Sequence, residues 1–269
     1  MSSRFIVMSN SRTGSTWLTT ALNQVEDITT DFEIKIPPIA YPKLPNHFLM
    51  QGSFDEEFWP LVPSNLVRGS KLVLDPKPHD QSLLSTLKLH IPSDVKIVFL
   101  TRCLAEQTIS KMKVGHKNRL KSGLTYQSNR ISDRLLEESQ ALDHMPNREI
   151  SLNLDSIRLF TSAVNIRLAN DLLIRKYLGE SEQAFVHIDY SNLKEKFTNL
   201  CAFLGSEIKN LPPIDKLAIT EKVNRTESTV DTVLKAFAAR ANELREEMFK
   251  IDDVNFDVVR SFYNSSSGF

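Results

Sequence analysis

The amino-acid sequence predicts an α/β protein whose parallel central sheet is flanked by helices. Segments typical of strands alternate with segments typical of helices along most of the chain. Two strand segments, 4–9 (RFIVMS) and 95–101 (VKIVFLT), are apolar through their centres, as is usual for strands that are buried on both faces of a parallel sheet. A polar turn at 10–14 joins the first of these strands directly to a helix.

The composition is that of an ordinary globular protein, and we expect one domain over 1–269. The chain is 41% hydrophobic and 25% charged, so it can bury a core without disulfides or metals. Basic and acidic residues both number 33, which gives no indication of binding to nucleic acid or to an anionic membrane. Two cysteines exclude a disulfide framework. Because no apolar stretch approaches membrane-spanning length and the run 5–8 is too short for a secretory leader, we expect a soluble cytoplasmic protein.

The first half of the chain is predicted to contain three strands. Strand 4–9 is followed by a helix over 15–25, which starts where the polar turn ends. Six prolines fall within 37–65, so we expect an ordered excursion with little regular structure there, and excursions of that length are often functional. This half is completed by a second strand over 71–75, a helix over 81–89 and the buried strand 95–101.

The second half is predicted to be largely helical. A basic helix covers 104–121, and two long helices broken near Pro146 cover 126–178, where we expect a substrate-side insertion. Apolar residues recur at helical spacing in the second of these helices, and Gly179 is its expected C-terminal cap. The chain then continues with a strand over 184–189, a helix over 191–204 that ends at Gly205, further helix, and a frayed terminus at 265–269.

The segment between the first strand and the first helix, 9–17 (SNSRTGSTW), has the features of an anion site. A strand, a tight loop and a helix N-terminus bring backbone N–H groups and the positive end of the helix dipole together. Thr13, Ser15 and Thr16 add hydroxyl donors. Arg12 adds a permanent charge that can bind two oxygens at once. The alternative is an ordinary loop whose Ser and Thr side chains cap the helix.

This loop is close to the nucleotide-binding pattern G-x-x-x-x-G-K-[ST] but departs from it at two positions. Gly14 and Thr16 fit the pattern, whereas Ser9 replaces its first glycine and Ser15 replaces its lysine. The missing lysine is the one that serves the β- and γ-phosphates in ATPases. The loop therefore predicts phosphate binding without the usual ATPase arrangement.

A second basic group follows the strand 95–101. Arg102 comes directly after that strand, and Ser110 lies eight residues later on the next helix. Ligands of open α/β sheets bind at the carboxyl ends of the strands. Six Lys or Arg and one acid, Glu106, fall within 102–121, and the alternative for the lysines is a solvated basic helix face. A charge at the end of a buried strand usually needs a partner, which makes Arg102 the stronger candidate.

Taken in order, these segments resemble the sulfotransferases that use 3′-phosphoadenosine 5′-phosphosulfate, whose fold is similar to that of P-loop NTPases. In that family a loop [KR]-[ST]-G-[ST]-T binds the 5′-phosphosulfate, and 12–16 (RTGST) matches it. An Arg and a Ser eight residues apart hold the 3′-phosphate, and they match Arg102 and Ser110. A strand ending in Tyr, followed by a helix that ends F-L-G, matches 186–193 and 203–205.

The resemblance implies roles for individual residues. Arg12 stands where the family has its catalytic Lys or Arg, at the bridging oxygen between phosphate and sulfate. A fixed cation there stabilises the negative charge that develops on the leaving oxygen. Trp17 and Tyr190 match positions that contact the adenine ring, and the alternative for both aromatic residues is core packing.

The family also uses a base that takes the proton of the acceptor hydroxyl. Glu33, 21 residues after Arg12, stands where the protein-tyrosine and carbohydrate sulfotransferases have this base. His79 and Asp75 are the substitutes, since the segment DPKPH is similar to the K-x-H-x-P segment of the cytosolic members. Lys77 in the same segment is a candidate second cation at the sulfate. The alternative for Glu33 and His79 is an exposed side chain without a catalytic role.

The chain departs from the cytosolic members near its C-terminus. Those members complete the 3′-phosphate site with an R-K-G segment, which is absent here. The segment 222–226 (KVNRT) is the candidate replacement. The departure places the chain nearer to the tyrosylprotein, carbohydrate and bacterial branches of the family.

The function that the resemblance implies is transfer of a sulfuryl group from 3′-phosphoadenosine 5′-phosphosulfate to an acceptor hydroxyl, by in-line displacement and without a metal. The acceptor is a sugar, a lipid, a peptide tyrosine or a small metabolite, and the product nucleotide is adenosine 3′,5′-bisphosphate. One alternative is a P-loop kinase for a small molecule, which is disfavoured because Thr101–Arg102 stands where a Mg²⁺-binding acid is expected. The other is a catalytically silent nucleotide-binding protein.

Overall fold

The computed structural model describes residues 3–34, 67–74, 81–108, 110–111, 154–207, 232–251 and 254–265. The predicted excursion 37–65, the segments 75–80, 112–153 and 208–231, and the last four residues lie outside the described residues. The described strands are β1 (Arg4–Asn10), β2 (Ile28–Ile34), β3 (Val67–Leu74), β4 (Lys96–Thr101) and β5 (Phe185–Asp189). The described helices are α1 (Ser15–Leu22), α2 (Gln81–His90), α3 (Leu154–Glu180), α4 (Leu193–Leu204), α5 (Thr232–Phe249) and α6 (Phe256–Asn264), together with helical residues at 104–108 and 110–111 and a 3₁₀ turn at Tyr190–Asn192.

The five strands form one parallel sheet in the order β2-β3-β1-β4-β5. This confirms the predicted α/β class with a parallel central sheet. β1 occupies the middle, and its last residue, Asn10, pairs with Leu74 at the end of β3. The last residues of β4 and β5, Thr101 and Asp189, also pair with each other. The carboxyl ends of these four strands therefore lie along one edge, which is where parallel α/β sheets bind ligands.

Each face of the sheet is covered by helices, which explains why β1 is apolar at consecutive positions. Phe5 and Val7 pack on one face with α1 and α4, whereas Ile6 and Met8 pack on the other with α2, α3, α5 and α6. Successive side chains of a strand point to opposite faces. Because both faces are buried, the odd-numbered and the even-numbered residues of the strand can all be apolar.

Phe5 also explains a glycine in the neighbouring strand. A Cβ atom built on Gly69 of β3 would lie 2.2 Å from Cζ of the Phe5 ring, which is far inside van der Waals contact. Since Phe5 and Gly69 are paired in the sheet, the ring lies directly over the glycine backbone. A side chain at position 69 would displace the ring from the core.

The structure differs from the prediction at one missed strand and three element ends. Strand β2 was not predicted, because its sequence ITTDFEI is polar at several positions and it lies at the sheet edge with an irregular register on β3. Helix α1 ends at Leu22, before the predicted 25, because the Asn23 amide bonds the backbone N–H and C=O of Thr30 at the start of β2. Strand β3 starts at Val67, earlier than predicted. Helix α3 includes Gly179 and ends at Glu180, so Gly179 does not cap it.

No helix within the described part of the chain is both long enough and apolar enough to cross a membrane.

Candidate active site

The loop from β1 to α1 contains two residues with a left-handed backbone. Arg12 has φ 72° and Gly14 has φ 96°, both in the left-handed region. A left-handed residue between right-handed neighbours turns successive N–H groups toward one point and forms an anion-binding concavity. Gly14 is the N-cap of α1 and its carbonyl accepts the first helical bond from Leu18, at 3.0 Å. No side chain caps this helix from the N-cap position, so the alternative of a loop capped there by Ser or Thr does not describe it.

An aromatic pair closes one side of the loop. Tyr190 follows β5 directly, and a Cβ atom on Gly14 would lie only 2.4 Å from Cε2 of its ring. Trp17 of α1 meets Tyr190 edge to face, with ring centroids 6.2 Å apart. The structure thus brings the two predicted adenine contacts together beside the predicted phosphate loop. Both side chains are partly exposed, so part of each ring remains accessible and is not packed in the core.

The predicted ligands of the two phosphate groups meet at this edge of the sheet. The Arg12 Nε donates to Oγ of Ser110 at 3.0 Å, which joins the first loop to the helix after β4. A guanidinium nitrogen of Arg102 lies 3.5 Å from the Arg12 carbonyl oxygen. Sequence reasoning placed these residues in two separate motifs, 90 residues apart at their nearest. The fold makes them neighbours because β4 lies next to β1.

Arg102 is held in place by two further contacts. Its Nε donates to Glu106 at 2.7 Å, one helical turn along the chain. Its guanidinium carbon lies 4.9 Å from the centroid of the Tyr190 ring, within cation–π range. Glu106 is therefore the partner that a charge at the end of a buried strand was expected to need.

The two arginines generate a positive potential at the site. Burial, and then the charge of Arg102, lower the pKa of Arg12 below its usual value. A like charge nearby makes the cationic form less favourable, and an anion bound between the arginines would remove that cost. Arginine also binds phosphate and sulfate oxygens in a bidentate manner. Two neighbouring guanidinium groups are therefore chemically suited to a strongly anionic group, as the sequence predicted.

The loop hydroxyls have different surroundings. Thr13 is fully buried and its hydroxyl donates to the Asn10 carbonyl at 3.1 Å, so it stabilises the loop from within. Ser15 is buried at the start of α1, whereas Thr16 is exposed. The Ser11 hydroxyl is buried and has no hydrogen-bond partner among the described residues. A buried hydroxyl without a partner is uncommon in native proteins.

Lys71 is a site residue that sequence reasoning missed. It lies in β3, and its Nζ donates to Oγ1 of Thr16 at 2.9 Å. An ammonium group thus reaches the N-terminus of α1, although Ser15 occupies the position where the nucleotide-binding pattern has lysine. The local sequence gave no signal, since Lys71 reads as an ordinary exposed position of a strand. The contact depends on β3 lying beside β1.

The predicted base and second cation are only partly located. Glu33 lies in β2 and pairs with Lys71 of β3, which brings its backbone next to the strand that supplies the ammonium group. Asp75, Lys77 and His79 lie outside the described residues. They follow directly on the end of β3, which is at the carboxyl edge of the sheet.

Comparisons with known proteins bear on the fold. No protein-family model and no curated protein matches the chain. Among solved structures, a sulfotransferase from Alicyclobacillus acidocaldarius superposes with a TM-score of 0.52 at 16% sequence identity. The match covers 97% of this chain and 100% of that one. The chain therefore has a sulfotransferase-like α/β fold.

Proposed function

We propose that the protein is a sulfotransferase that moves a sulfuryl group from 3′-phosphoadenosine 5′-phosphosulfate to an acceptor hydroxyl. One observation carries the proposal: Arg12, Ser110 and Arg102 meet beside the uncapped N-terminus of α1. Two anionic groups on one ligand match this arrangement, because the loop and the residues after β4 offer two neighbouring sets of donors. The fold shared with a solved sulfotransferase supports the same conclusion.

The donor would be held at three points. The backbone N–H groups of 12–16 and the hydroxyls of Ser15 and Thr16 bind the 5′-phosphosulfate. Arg102 and Ser110 bind the 3′-phosphate through charge-assisted hydrogen bonds. Trp17 and Tyr190 contact the adenine ring. In this arrangement the nucleotide is fixed at both ends, which orients the sulfate for attack.

The proposed reaction is an in-line displacement at sulfur. The acceptor oxygen forms a bond to sulfur while the bond from sulfur to the bridging oxygen breaks, and adenosine 3′,5′-bisphosphate leaves. Arg12 stabilises the charge that develops on the bridging oxygen, with Lys77 as a second cation at the sulfate. Glu33 takes the proton of the acceptor hydroxyl, and His79 or Asp75 are the substitutes for this role. The step as proposed needs no metal, because the protein's cations stabilise the leaving group.

The acceptor is a hydroxyl group of a sugar, a lipid, a peptide tyrosine or a small metabolite. The proposed place for it is among the segments 37–65 and 126–178. We place the protein nearer to the tyrosylprotein, carbohydrate and bacterial branches than to the cytosolic one, since the C-terminal R-K-G segment is absent.

Calorimetric titration with adenosine 3′,5′-bisphosphate tests the donor site. ATP and ADP serve as controls, and each titration is run with and without Mg²⁺. We expect the bisphosphate to bind at least tenfold more tightly than ATP, with an affinity that Mg²⁺ does not change. Preference for ATP in the presence of Mg²⁺ would instead support a kinase, and binding of no nucleotide would contradict the proposal.

A further inference from the structure

A buried carboxylate lies directly behind the phosphate loop. Asp171 of α3 is fully buried, and its Oδ1 accepts a hydrogen bond from the Asn10 side-chain amide at 2.6 Å. Asn10 is the last residue of β1, so this bond holds the residue from which the loop starts. The other oxygen, Oδ2, accepts a bond from Arg245 of α5 at 3.1 Å. Neither Asp171 nor Arg245 belongs to any motif recognised in the sequence.

Arg245 connects this carboxylate to the ends of two more strands. The same guanidinium nitrogen that bonds Asp171 also donates to the Arg102 carbonyl at 2.8 Å. Its second terminal nitrogen lies 3.6 Å from Oδ2 of Asp189, the last residue of β5. The Arg245 side chain is 3% exposed. One guanidinium group therefore joins β4 and β5 directly, and joins β1 through Asp171.

A second layer of hydrogen bonds fixes the Asn10 amide. Its Nδ2 also donates to the Arg167 carbonyl at 2.9 Å, and its Oδ1 accepts from Asn170 at 3.1 Å. Asn170 in turn accepts a bond from the Tyr263 hydroxyl of α6 at 2.6 Å. Both polar atoms of the Asn10 amide are thus bonded, and a side chain held by several bonds has little freedom to move.

These charges are costly to bury. Burial raises the pKa of Asp171 to about 6, although Arg245 and Asn10 act in the opposite direction. Burial also lowers the pKa of Arg167, one turn away, to about 10. A buried ion pair is often no more stabilising than well-packed apolar residues of the same size. A gain in stability is therefore a poor explanation for the pair, and a positional role explains it better.

We propose that Asp171 and Arg245 are positioning residues that set the separation between the loop after β1 and Arg102 after β4. This inference rests on the proposed function, in which those two places hold the 5′ and 3′ groups of one nucleotide. The affinity for a ligand with both phosphate groups depends on the separation between these two places in the protein, whereas the affinity for a ligand with one phosphate group does not. The pair therefore determines how much affinity the second phosphate adds.

The test compares two nucleotides that differ in the 3′-phosphate alone. Adenosine 5′-monophosphate and adenosine 3′,5′-bisphosphate are titrated into the wild-type chain, Asp171→Asn, Arg245→Lys and Arg240→Lys. Arg240 is the matched control, because it lies on the same helix and pairs with Glu243 while its side chain is 67% exposed. We expect the ratio of the two affinities to fall at least tenfold in both network variants and to stay unchanged in Arg240→Lys.

Each other outcome overturns the proposal in a distinguishable way. A folded variant that keeps the wild-type ratio shows that the pair does not set the separation, and leaves the sulfotransferase proposal standing. Equal weakening of both nucleotides shows that the pair only supports the fold of the loop. A wild-type chain that does not prefer the bisphosphate contradicts the proposed function, and this inference with it. Near-UV circular dichroism checks the folding of each variant, and Asn10→Ser tests the same network if neither network variant folds.

Discussion

Arg12 and Gly14 both have a left-handed backbone, which is unusual for a residue with a side chain. A left-handed backbone costs a non-glycine residue roughly 1–2 kcal/mol. Arg12 bears that cost at φ 72° while its side chain bonds Ser110. Residues in strained conformations are concentrated at functional sites. The combination supports the proposed role of the Arg12 guanidinium group in the site.

A substitution at Gly14 is expected to be more damaging than the same substitution at Gly205. Both glycines are left-handed, with φ 96° and 103°. A Cβ atom at Gly14 would overlap the Tyr190 ring at 2.4 Å, whereas at Gly205 its nearest neighbour is 3.4 Å away. We expect Gly205→Ala to lower the free energy of unfolding by about 1 kcal/mol, from backbone strain alone. Gly14→Ala should lower it further and also weaken bisphosphate binding.

Denaturant unfolding and calorimetric titration of the two glycine variants check this expectation. Gly205→Ala is the control for backbone strain, since it lies at the end of α4 and away from the loop. If both variants bound the bisphosphate as the wild type does, the contact between Gly14 and Tyr190 would have no role in the site.

Among the elements, β3 contributes a lysine to the candidate site, although no sequence motif lies in this strand. Its Lys71 places an ammonium group at Thr16, and its partner in β2 is Glu33. We expect Lys71→Met to weaken bisphosphate binding about threefold, because an exposed charge contributes up to about 1 kcal/mol. Lys88→Met is the matched control, since Lys88 is also a partly exposed lysine but pairs with Glu180 at the end of α3 and not with a residue of the loop. Equal affinities of the two variants would remove Lys71 from the site.

The sequence predicted those elements and residues whose signal is local. Strands β1 and β4 were predicted because burial on both faces makes them apolar throughout. The loop 12–16 and the Arg102–Ser110 pair were predicted because each is contained in a short segment. Strand β2 was missed because an edge strand carries a weaker apolar pattern.

The buried network could not be predicted for a different reason. Asp171 lies within LANDLL and Arg245 within NELREE, and a charged residue in a helix is usually expected on the exposed face. Each charge is buried only because the other helix packs against it in the folded chain. No local pattern records that pairing. Polar contacts between distant helices therefore have to be read from the structure.

At the scale of the whole molecule, Asp171 links the stability of the fold to pH. Its pKa is about 6 in the folded chain, above the 3.8 of a free carboxyl, so the unfolded chain ionises first as pH rises. The contribution of Asp171 to the free energy of unfolding therefore falls between about pH 4 and pH 6, by up to roughly 3 kcal/mol. Asp171→Asn lacks this carboxyl. We expect the free energy of unfolding of the wild type, minus that of Asp171→Asn, to fall over this range and to be constant above pH 7.

Denaturant unfolding of both proteins at half-unit steps from pH 4 to pH 8 measures this difference. Arg167, whose pKa burial lowers to about 10, stays charged throughout. His187, whose pKa is lowered by burial and which also faces Arg245 and Glu246, titrates in both proteins and cancels in the comparison. A difference that rises with pH would show that Arg245 stabilises the carboxylate more than burial destabilises it.

In the proposed sulfuryl transfer, Arg12 stabilises the leaving group while Arg102 binds the nucleotide. Titration of adenosine 3′,5′-bisphosphate into Arg12→Ala and Arg102→Ala, each against the wild type, tests this division most directly. We expect Arg102→Ala to weaken binding about tenfold or more, as loss of a charge-assisted bond implies, and Arg12→Ala to keep most of the affinity but lose transfer. Small and equal effects of the two substitutions would contradict it.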